Sequence, residues 1–343
     1  MNNKVLEEDI QQFAAHFALA EQLKGKSFLV TGATGLIGSV FIKCLLELNR
    51  QKNLGVKVIA VVRNLQKAAQ ILGKDTTDLT TMMLELSEVG VRNLTPKVDY
   101  VIHLASPTAS KFFVDNPVET LRTAFEGTTS LLEYAKQANV QAMVYASSLE
   151  VYGSNLTDEW LKEDFQGYVN PTEVRSSYNI GKRACECLCH SYAKEYGVNV
   201  MIARMTQTFG AGVEYNDNRV FAQFARKAME GDNIELHTEG RTCRMYCYTT
   251  DAVSAMLYLL LKGERGEAFN IANKESYISI RDMAMMIKNE FNPNIDVVVA
   301  PKEGQGYAPE TKLRLDTIKM ESLGWQPQYD LRTMFERLLR SFS

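Results

Sequence analysis

KSFLVTGATGLIG, residues 26–38, is the stretch of the chain that says most about its fold. Lys26–Thr31 predicts a buried strand, and Leu36–Asn49 predicts a helix. The glycine-rich turn between them lets the backbone approach a pyrophosphate closely and points free helix amides at the negative charge. This order predicts a dinucleotide-binding site formed by the turn residues Gly32, Thr34, Gly35, Leu36, Ile37 and Gly38. A glycine turn with a purely structural role is the alternative.

From this turn to about residue 204, short apolar strands alternate with amphipathic helices. The predicted strands are Val56–Val62, Asp99–Leu104, Gln141–Ala146 and Val198–Arg204. The predicted helices are Asn64–Leu72, Val118–Gln137 and Ser176–Tyr196. Such alternation is typical of an α/β protein with a Rossmann-type doubly wound parallel sheet.

The pattern divides the chain into three regions. Residues 1–24 predict a helical extension that serves packing or a subunit contact, and 25–204 form the dinucleotide-binding domain. Beyond them the strands become shorter, and 205–343 predict a smaller α+β substrate-binding region. We expect its segment 244–262 to return to the Rossmann sheet. Its predicted strands are Ile234–His237, Ala268–Ile271 and Ile295–Val299.

The composition limits the classes of partner. The chain has 343 residues and a net charge of -3, which argues against nucleic acid or an anionic membrane surface as a partner. No stretch approaches the ~20 apolar residues of a membrane span. The acidic residues Glu7, Glu8 and Asp9 are unlike the start of a signal peptide, so we expect a cytoplasmic protein.

Six cysteines are expected to be free thiols in that compartment. The run Cys185, Cys187 and Cys189, followed by His190, suggests a metal site. On a helix, however, only Cys185 and Cys189 would share a face. Because zinc needs about four convergent ligands, we predict packing thiols and no metal.

The end of the second strand bears on the type of dinucleotide. An acidic residue there would bind the ribose 2′-hydroxyl of NAD, whereas this chain has Arg63 and Asn64. Arg63 could pair with a 2′-phosphate, so the sequence favours NADP over NAD within an NAD(P) site. Alternatively, Arg63 is a solvated side chain that stacks on adenine. The third strand ends in small residues that let a cofactor lie against it, namely Leu104, Ala105 and Ser106. His103 before them is either a structural histidine or a cofactor contact.

Tyr178 and Lys182 are four residues apart and would lie on one helix face. A phenol is a poor base at neutral pH, but a nearby ammonium and a positively charged nicotinamide lower its pKa. Tyr178 could then accept a proton from a sugar hydroxyl while hydride leaves the same carbon. Ser148 follows a strand at the sheet edge where ligands bind, and its hydroxyl could hold the reacting oxygen. A turn cap is the alternative for Ser148.

At this point the chain resembles the extended short-chain dehydrogenase/reductases, the NAD-dependent epimerase/dehydratase group that modifies nucleotide sugars. The matching motifs are TGATGLIG (31–38), HLAS (103–106), SSLEVYG (147–153), YNIGK (178–182), RMYCYTTD (244–251) and LGWQP (323–327). The resemblance implies a catalytic set of Ser148, Tyr178 and Lys182, and a nucleotide-diphosphate sugar as substrate. It also implies a homodimer built from the helices Val118–Gln137 and Ser176–Tyr196.

The resemblance extends to the substrate residues. Arg244 matches a family arginine that contacts the substrate pyrophosphate, and Arg219 is a weaker candidate. For each of them a surface salt bridge is the alternative. The family often has asparagine where this chain has Ala124 and Gln207, which puts helix support and a substrate contact in doubt. Leu149 replaces the aspartate that sugar 4,6-dehydratases use as an acid.

Glu150, next to Leu149, matches a glutamate of the dehydratases and the UDP-glucuronate decarboxylases. Oxidation at sugar C4 acidifies neighbouring C–H bonds, so Glu150 could serve as a base at C5 or C3. A structural carboxylate is the alternative. The leading hypothesis is a cofactor-recycling epimerase/dehydratase-type enzyme. The others are an NADPH-dependent reductase of a keto sugar, a UDP-glucuronate decarboxylase-like enzyme, and a non-catalytic NAD(P)-binding protein.

Overall fold

The computed structural model describes residues 3–86, 97–107, 110–301 and 310–343. Its strands are β1 (Ser27–Thr31), β2 (Lys57–Val62), β3 (Leu79–Met83), β4 (Tyr100–His103), β5 (Ala142–Ser148), β6 (Trp160–Leu161), β7 (Val200–Met205), β8 (Gln207–Phe209), β9 (Ile234–Leu236), β10 (Cys243–Tyr248), β11 (Ala268–Ile271), β12 (Asn273–Ser279), β13 (Val297–Val299) and β14 (Arg314–Leu315). Its α-helices are α1 (Lys4–His16), α2 (Leu36–Lys52), α3 (Leu65–Leu72), α4 (Ser110–Asp115), α5 (Pro117–Ala138), α6 (Ser176–Tyr196), α7 (Val220–Glu230), α8 (Thr249–Lys262), α9 (Ile280–Phe291), α10 (Ile318–Glu321) and α11 (Leu331–Phe342).

Seven parallel strands form the central sheet, in the order β11-β7-β5-β4-β1-β2-β3. The chain winds outward from β1 in both directions, so the strand order reverses between β1 and β4. Ligands of such sheets bind beyond the carboxyl ends of the strands at this reversal. The predicted Rossmann-type doubly wound sheet is confirmed.

Alternate side chains of each strand enter two separate cores. On one face, Phe28 and Val30 of β1 pack with α2 and α8. On the other, Leu29 of β1 lies in a cluster with residues of α5 and α6. Burial on both faces explains why these strands are continuous apolar runs rather than alternating ones.

The sequence analysis did not assign two strands of the central sheet, β3 and β11, to the dinucleotide-binding domain. β3 extends the sheet beyond β2, and its sequence Leu-Thr-Thr-Met-Met carries no apolar run to reveal it. β11 pairs in parallel with β7, although it follows residue 204 by more than sixty positions. α8 also packs on α2, β5 and β7, while β10 before it joins a different, three-stranded sheet with β8 and β12. The division at residue 204 stays a prediction.

The remaining elements of the C-terminal part form their own apolar cluster. It includes several aromatic side chains, and the ring of Phe209 contacts those of Phe221 and Phe335. The N-terminal extension predicted as helical contains the helix α1. This helix packs against α2, α8 and α11. Over the residues that the structure describes, no helix has the length and apolarity needed to cross a membrane.

Candidate active site

The glycine turn between β1 and α2 needs glycine at two positions for reasons internal to the protein. Gly32 has φ +66°, and a Cβ there would lie 2.7 Å from the carbonyl carbon of Leu104 on the neighbouring strand end. A Cβ on Gly38 would overlap the carbonyl oxygen of Gly32. Gly35 is different, because it is exposed and a Cβ would meet only the Gly32 oxygen, at 3.2 Å. Thr34, Leu36 and Ile37 are half-buried around it. The space outside Gly35 is therefore open for a pyrophosphate at the N-terminus of α2.

His103 is a structural histidine, which is the first of the two interpretations that the sequence left open. Its Nδ1 lies 2.8 Å from Thr31 Oγ1 and its Nε2 lies 3.2 Å from Thr128 Oγ1. Thr128 donates its own proton to the carbonyl of Ala124, so the hydrogen-bond pattern assigns the imidazole proton to Nε2. Burial lowers the His103 pKa to about 3, with the Lys182 charge adding to the effect, and the ring is neutral.

The edge of the sheet beyond β2 and β4 carries the other residues predicted to bind a dinucleotide. Arg63 is exposed at the end of β2, and the next residue, Asn64, caps α3 by accepting from Lys67 N at 2.9 Å. No ion pair or hydrogen bond engages the Arg63 side chain among the described residues. The small residues that follow β4 are half-buried beside the glycine turn, namely Leu104, Ala105 and Ser106.

Tyr178 and Lys182 occupy the first turns of α6, as the spacing predicts. Lys182 is 5% exposed, and its Nζ donates to the carbonyl of Ala146 at 2.7 Å. The same Nζ lies 5.8 Å from the centroid of the Tyr178 ring. Burial lowers the pKa of Lys182 to about 8, so the side chain remains an ammonium at neutral pH.

The protein groups around Tyr178 raise the pKa of its phenol. Burial raises its pKa above the usual value, and the nearby Glu150 carboxylate adds to the rise. A hydrogen bond with Ser148 and the charge of Arg175 oppose the effect without overcoming it. Among the protein groups, burial therefore outweighs the Arg175 charge, and the lowering predicted with a bound nicotinamide stays a prediction.

Ser148 ends β5 and fills the role of a turn cap, while its contact with the reacting oxygen stays a prediction. Its Oγ accepts from Glu150 N at 3.2 Å and so caps the 3₁₀ turn Leu149–Tyr152. It also hydrogen-bonds with Tyr178. Ser148, Tyr178 and Lys182 thus come together at one edge of the sheet, close to the strand ends that carry the glycine turn.

Sequence reasoning missed Arg175, which stands three residues before Tyr178 at the N-cap of α6. Its two terminal nitrogens donate to the two carboxylate oxygens of Glu150 at 2.8 and 3.1 Å. Asn179 Nδ2 donates to the Glu150 carbonyl at 2.8 Å, so both ends of this residue are fixed. The spacing of Arg175 to Tyr178, one helical turn, was the available signal.

Phe113 was also missed, and no local pattern marks it. Its ring stacks on that of Tyr178 with centroids 4.2 Å apart and planes inclined by 11°. Ser177 Oγ donates to the Phe113 carbonyl at 3.3 Å, which ties α4 to the start of α6. The face of the phenol is thereby covered by an apolar ring that is 1% exposed.

The three predicted substrate residues fare differently. Arg244 on β10 donates to Thr311 Oγ1 and to the Cys243 carbonyl, and burial lowers its pKa. The charges of Glu150 and Arg175 act on it, which places it in the same cluster. Gln207 on β8 pairs with Tyr246 of β10, beside Arg244 in the sheet. Arg219 instead pairs with Asp217 at 2.6 Å, as the salt-bridge alternative predicted.

The helix-face prediction for the cysteines is confirmed. Cys185 and Cys189 are buried, whereas Cys187 is exposed. Cys185 Sγ donates to the carbonyl of Ala124, and a methyl on Gly181 would lie 3.6 Å from Ala124 Cβ. Small residues therefore bring α5 and α6 close together where the family often has asparagine. Throughout the described part of the chain, no group of three or more His, Cys, Asp or Glu could hold a metal ion.

Residues 28–272 match the model of the NAD dependent epimerase/dehydratase family. The chain belongs to this family. Its members are NAD-dependent enzymes of the short-chain dehydrogenase/reductase type, which confirms the predicted enzyme class and the resemblance drawn from the motifs.

Similar proteins with a described activity share most of this family member's length. UDP-glucuronic acid decarboxylase 5 of Arabidopsis thaliana is 30% identical over 304 residues, which are 89% of this chain and 85% of the relative. UDP-glucuronic acid decarboxylase 1 of Danio rerio is 29% identical and aligns with 93% of this chain and 73% of its own length.

Solved structures show the same fold at lower sequence identity. The UDP-glucose 4-epimerase of Thermotoga maritima with UDP-glucose has a TM-score of 0.77 and 22% identity, covering 92% of this chain and 98% of that one. The UDP-glucuronic acid 4-epimerase of Bacillus cereus, in complex with UDP-glucuronic acid and NAD, has a TM-score of 0.76 and 21% identity, with 92% and 100% covered.

Proposed function

We propose that this family member acts on a nucleotide-diphosphate sugar by oxidising a carbinol carbon, C4, and completes the reaction on the ketone in an epimerase/dehydratase-type sequence. The observation that carries the proposal is the meeting of Ser148, Tyr178 and Lys182 beside the glycine turn. Tyr178 Oη accepts the proton of the sugar hydroxyl, and Ser148 Oγ holds the same oxygen. NAD(P), when bound at the turn, supplies the hydride acceptor.

The lysine makes this proton transfer feasible. A desolvated phenol resists ionisation, and a cation close to it reduces that cost. Lys182 stays protonated below pH about 8 and is anchored to the Ala146 carbonyl, so its charge is fixed near the phenol. We propose that this charge becomes effective together with the positive charge of the oxidised nicotinamide.

The charge cluster favours decarboxylation of a uronate as the specific reaction. Arg175 pairs with the carboxylate of Glu150, and the charge of this carboxylate also acts on the buried guanidinium of Arg244. A substrate that brings another carboxylate would balance these charges. Oxidation at C4 would make the C6 carboxylate β to a ketone, so the C5–C6 bond can break and release carbon dioxide. The electron pair would pass to the C4 enolate, a proton would add at C5, and the hydride held by the reduced dinucleotide would return to C4. The decarboxylases among the relatives support this candidate.

One experiment separates the reaction types. The purified chain is incubated with UDP-, dTDP-, GDP- and CDP-sugars, including UDP-glucuronate; the products are weighed by mass spectrometry, and the stereochemistry of their sugars is determined by NMR. Loss of carbon dioxide from UDP-glucuronate supports decarboxylation, and an unchanged mass with altered stereochemistry supports epimerisation. Loss of water indicates a dehydratase, and gain of two hydrogens with NADPH indicates a reductase. No change in any sugar overturns the enzymatic proposal in favour of a binding protein.

Two variants test the assignment of the base. Tyr178→Phe should lower kcat by about 100-fold or more while dinucleotide binding persists, because positioned acid–base groups contribute on this order. Tyr168→Phe is the matched control, since Tyr168 is 70% exposed. Equal turnover in the two variants would refute the role of Tyr178.

For the dinucleotide we propose NADP over NAD, supported by the unengaged Arg63 side chain and the absence of a carboxylate at the end of β2. Arg63→Ala should reduce NADP affinity and leave NAD affinity unaltered in a calorimetric titration. If the ratio of the two affinities does not change, the 2′-phosphate contact is wrong.

We also propose a homodimer formed through α5 and α6. Large apolar side chains stay exposed on this side, among them Val118 at 68% and Phe125 at 47%. Phe125→Glu should yield monomers by light scattering, and an unchanged mass would contradict the interface. A cytoplasmic location is proposed as well, because all six cysteines are free thiols.

A further inference from the structure

α1 lies outside the matched family region, yet it carries an almost fully enclosed carboxylate. Asp9 is 1% exposed. Its Oδ2 accepts from the Tyr248 hydroxyl at 2.5 Å, and its Oδ1 contacts Arg337 Nε. Burying a carboxylate is costly unless it is paired and hydrogen-bonded. These contacts join α1 to the end of β10 and to α11.

Tyr248 also reaches the loop that follows β8. Its hydroxyl oxygen accepts from the backbone N–H of Ala211 at 3.3 Å, while its proton serves Asp9. The carbonyl of Ala211 accepts from Asn3 Nδ2. The Asn3 Oδ1 meanwhile caps α1 by accepting from Leu6 N at 3.0 Å. Side chains that belong to α1 or are held by it therefore bind both backbone polar groups of Ala211.

The next loop residue touches the dinucleotide-binding helix. A methyl group built on Gly212 would lie 3.1 Å from Leu36 Cδ1, 3.5 Å from Val40 Cγ2 and 3.7 Å from Leu6 Cδ2. Leu36 is the first residue of α2, directly after the glycine turn. The loop is thus packed between α1 and the start of α2, and an added methyl group would make a tight contact with Leu36.

We propose that α1 is a positioning element of the dinucleotide site, in which Asn3 and the Asp9–Tyr248 pair hold the loop 210–213 against Leu36. This inference rests on the proposed binding of NAD(P) at the glycine turn. Asn3, Asp9 and Tyr248 are positioning residues, since they act on the turn through Ala211 and Gly212. Their contacts restrict the direction of the first turn of α2, whose amides face the pyrophosphate.

The test measures dinucleotide affinity by calorimetry in the full chain. Asn3→Ser keeps a side-chain oxygen for the helix cap but removes the amide that binds Ala211. Tyr248→Phe removes the hydroxyl between Asp9 and Ala211. Each should weaken the affinity about 3- to 10-fold, the range expected for one hydrogen bond. In turnover, the KM for dinucleotide should rise while kcat is unchanged. Glu7→Gln, an exposed carboxyl-to-amide change on the same helix, should have no effect.

The outcomes separate this inference from the proposed function. If the wild-type chain binds neither NAD nor NADP, the proposed function fails, and the inference fails with it. If the wild type binds and both variants bind equally well, only the inference is overturned, even where their melting temperatures fall. Weaker binding by Asn3→Ser alone would support the link through α1, because this half-buried residue lies outside the Asp9–Tyr248 pair and leaves it intact.

Discussion

An added methyl group should have different effects on stability and binding at Gly35 and at Gly38, the two later glycines of the turn. Gly38 is buried, and its added Cβ would overlap backbone atoms of Gly32, which no side-chain rotation can relieve. Overpacking costs about 1–3 kcal/mol, so Gly38→Ala should lower the melting temperature by about 2–10 °C. Gly35 is exposed, and its Cβ would meet one oxygen at 3.2 Å. Gly35→Ala should therefore cost less than about 1 kcal/mol of stability.

For dinucleotide binding, we expect Gly35→Ala to be the more damaging of the two substitutions. The methyl of Gly35→Ala would stand where the backbone approaches the pyrophosphate, so we expect at least a tenfold loss of affinity, or about 1.4 kcal/mol. Calorimetric titration with NAD and NADP, together with thermal unfolding, measures both quantities for each variant. Gly127→Ala serves as the control, because its helix has room for a methyl 3.4 Å from Leu86. Normal binding by Gly35→Ala, or unfolding as severe as that of Gly38→Ala, would refute this division of roles.

Three further outcomes can be measured. Phe113→Leu should reduce kcat about 2- to 10-fold with little change in substrate KM, because loss of the ring stack loosens Tyr178; an unchanged kcat would contradict this role. Glu186→Ala should lower the free energy of unfolding in urea by about 3–5 kcal/mol, since it leaves the buried Arg204 guanidinium without its partner at 2.7 Å; a loss below about 1 kcal/mol would be inconsistent. Burial raises the pKa of Asp251 to about 7. Its contribution to stability is therefore full below pH about 4 and is lost as the pH rises to about 7, so unfolding scans should show a pH dependence that Asp251→Asn reduces.

The parts of the fold that depend only on neighbouring residues in the sequence were predictable. β1, the glycine turn and α2 follow one another without interruption, so periodicity and glycine spacing were enough. The same holds for Tyr178 and Lys182, whose four-residue separation brings them together on any helix. Ser148 could be placed because it directly follows an apolar strand.

Features that depend on pairing between distant segments were not predictable in this way. β11 joins β7 through contacts that no local pattern encodes, and Phe113 reaches Tyr178 across more than sixty residues of sequence. The effect of burial on the pKa of Tyr178 was not predictable for a related reason. Spacing reveals that Lys182 lies near the phenol, but the desolvation that raises the pKa depends on the whole surrounding fold.

The packing of α1 has a practical consequence for anyone who shortens the chain to its family-matched region. Starting at residue 28 would strip the apolar side chains of Ile10, Ala14 and Phe17 from the core they share with α2 and α8. The uncovered apolar surface would favour aggregation, and Arg337 would lose its buried counter-ion, Asp9. Recombinant versions intended for crystals or assays should therefore begin no later than Asn3.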